Sequence, residues 1–458
     1  MIDEKAKAFI ISGTVLAALL LMHNLPTLSF GDTTLRDVNI LSDVLPEAVD
    51  SSDILRRPDA VLAQNADTLK YEEYRPKGVT MIDDYSNDKD GGMNHFYKML
   101  SETKTLNRPV RIAYYGDSFI EGDILTADIR ETLQQKFGGN GIGWVDCQNG
   151  TNNFRPTLTL KSSGFDGHVV TKKPFDHTLQ GVNQKYFIAS PGATLSYTGT
   201  SFRKGPSHWQ KAKLFFKSDG NVGLSARING GESVTKSAGA ASGVQCVEFS
   251  GNMNKIAFTV TDCPPRTVFY GAALESDRGI IVDNLGVRGI PGYSLADIPV
   301  NTLKGFANYR PYDLIIIHYG LNAVAGKTPK GFPERYIKRM KKVIGNLRKA
   351  YPEASILVMS VSDRDQRSAD GIKTISSVRD LSITQQNLAN ECKVAYFNLF
   401  DAMGGENSMK TMVDKGLANK DYTHINFEGG KFIADKICKS LLAGLENYKR
   451  KKEAGIIN

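Results

Sequence analysis

Two short clusters at opposite ends of the chain could together perform nucleophilic chemistry. Gly116-Asp117-Ser118 offers a hydroxyl, and Asp421-Tyr422-Thr423-His424 offers a carboxylate and an imidazole three residues apart. A serine hydroxyl is too weak an acid to attack a carbonyl unless a neutral imidazole takes its proton. A carboxylate must then hold that imidazole in one tautomer and stabilise it once charged. An Asp three residues before a His can supply both from a single loop. The sequence holds seven His, so an imidazole in this setting is not a common accident. Taken singly, Gly-Asp-Ser also describes an ordinary loop, and Asp421 an ordinary helix cap.

Two further segments offer what the same chemistry requires next. A tetrahedral intermediate needs donors aimed at its oxyanion, commonly backbone N–H groups and an asparagine side chain. Gly289-Ile290-Pro291-Gly292 lets backbone approach a substrate closely, and Gly320-Leu321-Asn322 carries an uncharged donor on a short stem.

The elements that must position these groups are legible as apolar runs. Residues 109–115 (PVRIAYY) form a β-rich run ending at Gly116, and 126–137 (TADIRETLQQKF) follow with helical spacing. A buried strand, a tight turn and a helix put Ser118 at the carboxyl end of a parallel sheet, where open α/β sheets hold their active sites. Residues 280–284 and 312–318 (YDLIIIH) predict further strands, each leading into one of the glycine turns. Residues 432–448 predict an amphipathic helix after His424.

Together the four segments resemble the SGNH hydrolase (GDSL esterase/lipase) family. Its blocks carry Ser in Gly-Asp-Ser, a Gly after the second strand, Asn in Gly-x-Asn and His in Asp-x-x-His, in this order. The resemblance implies Ser118 as nucleophile, His424 as general base then acid, and Asp421 as its orienter. It also implies an oxyanion hole from the Ser118 N–H, Gly292 and Asn322, with Gly289 as the other glycine that could align. No cofactor or metal is implied. Phe119 stands where the family's nickname would have Leu. Ala323 follows the Asn where many members carry Asp or Glu, which removes a supporting carboxylate.

The resemblance covers roughly 108–150 and 278–447. Between them, short β-rich pieces at 185–189, 193–198, 212–217, 222–228 and 255–260 alternate with Gly, Ser and Asn turns. The expected fold is therefore α/β: a three-layer, flavodoxin-like parallel sheet with an inserted all-β sandwich at 151–277. This arrangement is similar to exported peptidoglycan O-acetylesterases, in which a carbohydrate-binding-module-like sandwich lies between the first two blocks. The implied partner is an acylated glycan. Lipase or thioesterase action, acetyl transfer onto a polysaccharide, and glycan binding with a vestigial site stay open. Among the insertion's aromatics, Trp209, beside His208 and Gln210, is the ring expected to be exposed to a sugar.

At 458 residues, 41% hydrophobic and 23% charged, the chain can bury a real core and exceeds the usual single domain. The expected segments are 1–30, 31–107, 108–150, 151–277 and 278–458. Residues 8–22 (AFIISGTVLAALLLM) are apolar and uncharged, preceded by Lys5 and Lys7, with no further Lys or Arg before Arg36. That asymmetry predicts an anchor at 8–25 with the body outside the cytoplasm, in the periplasm or envelope. A cleaved signal peptide is the alternative, although no clear cleavage site follows. Residues 31–107 read as polar linker and extension, with a helix expected at 95–100. The net charge of +8 is spread along the chain apart from Lys449-Arg450-Lys451-Lys452. That run reads as a solvated helix end, and no nucleic-acid partner is expected. Of five cysteines, Cys246 and Cys263 bracket two expected strands and are either a pair or two small buried residues.

Overall fold

In the computed structural model the buried apolar runs become adjacent strands of one six-stranded sheet, in the order Ile280–Gly286, Val110–Gly116, Leu314–His318, Ser355–Met359, Ala395–Phe397 and Asp83–Asp84. The first five run parallel and the short last strand is antiparallel. Every residue of Val110–Gly116, Leu314–His318 and Ser355–Met359 is buried, as expected of a parallel sheet covered on both faces. Helices Thr126–Phe137, Phe427–Glu453 and Asn94–Ser101 pack as one layer. Val300–Tyr309, Phe332–Ala350 and Ser376–Cys392 form the other. Gly116 is in register with both Gly286 and His318, so the central strands end level and their following loops share one edge.

The structure describes residues 71–457 apart from 87–90, 149, 151–154, 204, 325 and 370, together with two short strands, Ser29–Phe30 and Thr33–Thr34. The chain divides into two units, Met1–Ile54 and Leu55–Asn458; in the first, the two short strands pair antiparallel. The expected anchor at 8–25 lies outside the described residues. Among those described, no helix is long and apolar enough to cross a membrane.

The segment between the first two blocks supplies eight strands of a second, antiparallel sheet, and Gly143–Val145 of the first block adds the ninth. The expected pieces at 185–189 and 193–198 are one long strand, Lys185–Gly199, bent around Gly192 at φ +94°. The end strands of the sheet, Ser233–Ala238 and Ala241–Met253, meet where Lys236 Nζ donates to the Glu248 carbonyl at 2.8 Å. The sheet thus curls, sandwich-like, around its own core of Leu195, Leu214, Leu224 and Phe258. Trp209 belongs to that core and is 0% exposed, so the exposed ring expected from the sequence is instead a packing residue. Trp209 opens strand Trp209–Ser218, on which the next residue, Gln210, faces the opposite way.

The same alternation joins the two sheets. Val268–Glu275 is buried at every position: Phe269, Ala272 and Leu274 face the sandwich core, while Tyr270 and Ala273 face the core of the parallel sheet. Gly143–Val145 pairs with that strand, sending Val145 one way and Trp144 the other, against Phe215 and Phe306 at ring distances of 5.5 and 5.6 Å. All five cysteines are free. Cys263 lies in the sandwich core and Cys246 packs on the other one, so the two stay apart.

Candidate active site

Asp117, directly after the nucleophile strand, is 1% exposed and accepts the Phe119 N–H at 3.0 Å. This local turn lifts Ser118 above the sheet edge. From the other end of the chain, the loop carrying His424 is fixed at several points. Asn419 N donates to the His424 carbonyl at 2.8 Å, and Asn426 caps the next helix by accepting from Gly429 N at 3.0 Å. That helix lies so close to the turn ahead of Thr126 that a Cβ on Gly430 would collide with the Ile124 carbonyl. Glycine here permits the contact that brings His424 over Ser118.

Ser118 Oγ lies 3.1 Å from His424 Nε2, and His424 Nδ1 lies 2.7 Å from Asp421 Oδ2. The other Asp421 oxygen accepts the backbone N–H groups of Thr423 and His424, each at 3.0 Å. Burial alone would raise the Asp421 carboxyl, but these bonds from His424 and Thr423 outweigh it and hold the pKa below the ordinary value. A carboxylate only accepts, so the Nδ1 proton belongs to this bond and Nε2 is left as an acceptor for the serine hydroxyl. The side chains of His424 and Asp421 are 43% and 49% exposed, so the row opens onto solvent.

The two expected oxyanion contributors sit on the same edge. Gly292 has φ +92°, and a Cβ there would come within 2.7 Å of the Tyr319 ring, whereas one on Gly289 would meet open space. Asn322 Nδ2 donates one hydrogen to the Ile290 carbonyl at 3.3 Å, which fixes the amide and leaves its second hydrogen for another acceptor. Asp117 lies between these parts. Its carboxyl is pushed up to about 6 by burial, against the opposing influence of the Phe119 and Gly320 N–H groups, His424 and Asn322.

The residue that sequence reasoning passed over is Arg364. On the segment after strand Ser355–Met359, Arg364 Nη1 donates to the carbonyls of Leu321 and Val324 at 3.1 and 3.3 Å. It thereby brackets Asn322. The neighbouring Asp365 N donates to the Tyr422 carbonyl at 3.0 Å, tying the same segment to the Asp421–His424 loop. His318, a second imidazole nearby, is a core residue: it is 3.1 Å from Tyr114 Oη, and burial pushes its pKa down to about 3. Among the described residues no group of three or more His, Cys, Asp or Glu is placed to hold a metal ion.

No protein-family model matches the chain, and no curated protein matches its sequence. Among solved structures, a peptidoglycan O-acetylesterase superposes with a TM-score of 0.67 at 20% identity, covering 80% of this chain and 99% of that one. A family two carbohydrate esterase from Clostridium thermocellum covers 61% of this chain and 97% of that one at 13% identity. Its TM-score of 0.27 is too low to bear on the argument. The first likeness establishes architecture: the chain shares the mixed α/β fold of that structure, a parallel-stranded sheet with an antiparallel, sandwich-like region set into it.

Proposed function

We propose that this chain is a serine esterase that removes acetyl or similarly small acyl groups from a glycan. The observation that carries the reading is the hydrogen-bonded row Ser118–His424–Asp421, with distances of 3.1 and 2.7 Å. Ser118 Oγ attacks the ester carbonyl as His424 Nε2 takes its proton. The oxyanion receives the N–H groups of Ser118 and Gly292 and the second amide hydrogen of Asn322. The glycan hydroxyl leaves with the proton from His424, and the acyl group stays on Ser118. Water then enters and attacks the acyl carbon as His424 takes its proton; the bond to Ser118 Oγ breaks, His424 returns that proton to Oγ, and the free acid leaves. The exposure of His424 supports water as acceptor and a bulky chain as acyl donor. The expected export, and the name of the superposed protein, make O-acetylated peptidoglycan the first glycan to try.

The test is acetate release by the purified protein from acetylated peptidoglycan, acetylated xylan and acetylated uronate polymers. Release from at least one, together with turnover of a small acetyl ester, is the expected result. A folded protein that releases no acetate from any of them would overturn the reading.

A further inference from the structure

Beside the oxyanion loop runs a groove of about 610 Å³ that the chemistry above does not use. Its floor is the loop itself, including Ile290 and Tyr293, and the Ile290 carbonyl is the group that fixes Asn322 at 3.3 Å. One wall is Thr171 of the inserted sheet, and the other is Arg339 and Lys342 of helix Phe332–Ala350. The charge on the helix wall is of one sign. Arg335, Lys338, Arg339 and Lys342 are all exposed and recur at i, i+3, i+4 and i+7, which places them on one helix stripe. Lys172 and Lys173, next after Thr171 in the chain, are exposed. Arg339 sits over the Tyr293 ring at 4.9 Å, so that ring face is covered by a cation. Among the described residues neither Arg339 nor Lys342 forms an ion pair. Exposed Asp297 is the carboxylate that lines the groove.

We propose that this groove seats a carboxylate-bearing glycan chain next to the ester that Ser118 attacks, an inference that deepens the glycan-esterase reading and rests on it. Three observations argue for that occupant. The groove is continuous with the oxyanion loop through Ile290. Its two walls come from the inserted segment and from a helix packed on the parallel sheet, so a chain leaving the reacting sugar passes between them. The cations that line it, Arg339 and Lys342, are exposed and form no ion pair among the described residues, so an anionic chain gains Coulomb attraction along that wall. A neutral chain would gain none of this.

The test is calorimetric binding, at low salt, of polygalacturonate oligosaccharides and of uncharged cello-oligosaccharides of equal length. The polygalacturonate should bind more tightly, and its affinity should fall as salt is added. The double variant Arg339→Gln/Lys342→Gln should weaken it about tenfold. Lys349→Gln removes one charge from the same helix outside the groove and should leave it unchanged. Absence of binding, equal affinity for both oligomers, or equal loss in the Lys349→Gln protein would overturn the groove. The wild-type preparation is also assayed on a small acetyl ester. Turnover without anionic binding sinks the groove and leaves Ser118 standing; binding without turnover sinks the esterase and leaves a glycan site.

Discussion

At the scale of residues, the asparagine turn is held by an unexpected partner. Ala323 occupies the position where a carboxylate would steady Asn322, and the guanidinium of Arg364 instead bonds the carbonyls on either side, at Leu321 and Val324. Asn322→Ala should lower kcat on a small acetyl ester by about 10²–10³-fold with little change in KM, the range for losing one oxyanion donor. Arg364→Met should reproduce a part of that loss, also in kcat. In an Asn322→Ala background Arg364→Met should cost little more, because the two act through one group. Additive losses in the double variant would show that Arg364 acts elsewhere. Asp117 gives a pH-dependent consequence. Its carboxyl titrates near 6 in the fold against 3.8 when unperturbed. The native state therefore keeps a proton that the unfolded chain has lost between those values, and stability falls as pH rises through that window. Asp117→Asn retains an acceptor for the Phe119 N–H and removes the charge. Its Tm should exceed that of the wild type at pH 8 and show little gain at pH 4. An equal gain at both would mean that ionisation is not the cause.

At the scale of elements, two buried ion networks weld the inserted sheet to the parallel one. Glu275, ending the last strand of the insertion, is bound by Arg111 at 2.9 Å, Arg310 at 2.5 Å and Lys213 at 2.7 Å, and its side chain is 0% exposed. Burial would raise that carboxyl, but the three cations hold it well below the ordinary value. At the other junction Asp123 is bound by Arg130 at 3.2 Å and by Arg155, from the start of the insertion, at 2.8 Å. Removing one member of such a buried network strands the others. Glu275→Ala should therefore lower unfolding free energy by about 3–5 kcal/mol, measured by urea denaturation. A change below about 1 kcal/mol would show that the packing of Trp144 on Phe215 and Phe306 holds the joint without it. None of this was visible in the sequence, because Arg111, Asp123 and Glu275 are charged residues in segments whose neighbours alone predict burial. What could be read was whatever apolar periodicity announces. The strands at 110–116 and 314–318 and the helix at 94–101 emerged close to their expected limits. Leu158–Val169 was missed because its outward face is Thr159, Lys161 and Ser163, which reads as loop. Trp209 was misjudged for a related reason: the composition of a neighbourhood says little about which side of a strand a ring takes.

At the scale of the whole molecule, groups 306 residues apart in sequence meet at one sheet edge. Ser118 is set there by strand Val110–Gly116 and His424 by the loop before helix Phe427–Glu453. The chemistry of those groups was legible because each carries a local motif, whereas the groove beside them was not, since its walls come from three distant segments. The resulting site is open, with a charged trough leading away from it, and that shape suits an ester on a chain better than one in a closed pocket. The central claim is that Ser118 forms the acyl intermediate. The most direct measurement is the rate of acetate release from O-acetylated glycan by Ser118→Ala beside the wild type, with native folding verified by thermal unfolding. The expected result is a loss of at least about 10³-fold in kcat, with His424→Ala nearly as damaging and the double variant little worse. Near-normal acetate release by folded Ser118→Ala would contradict it.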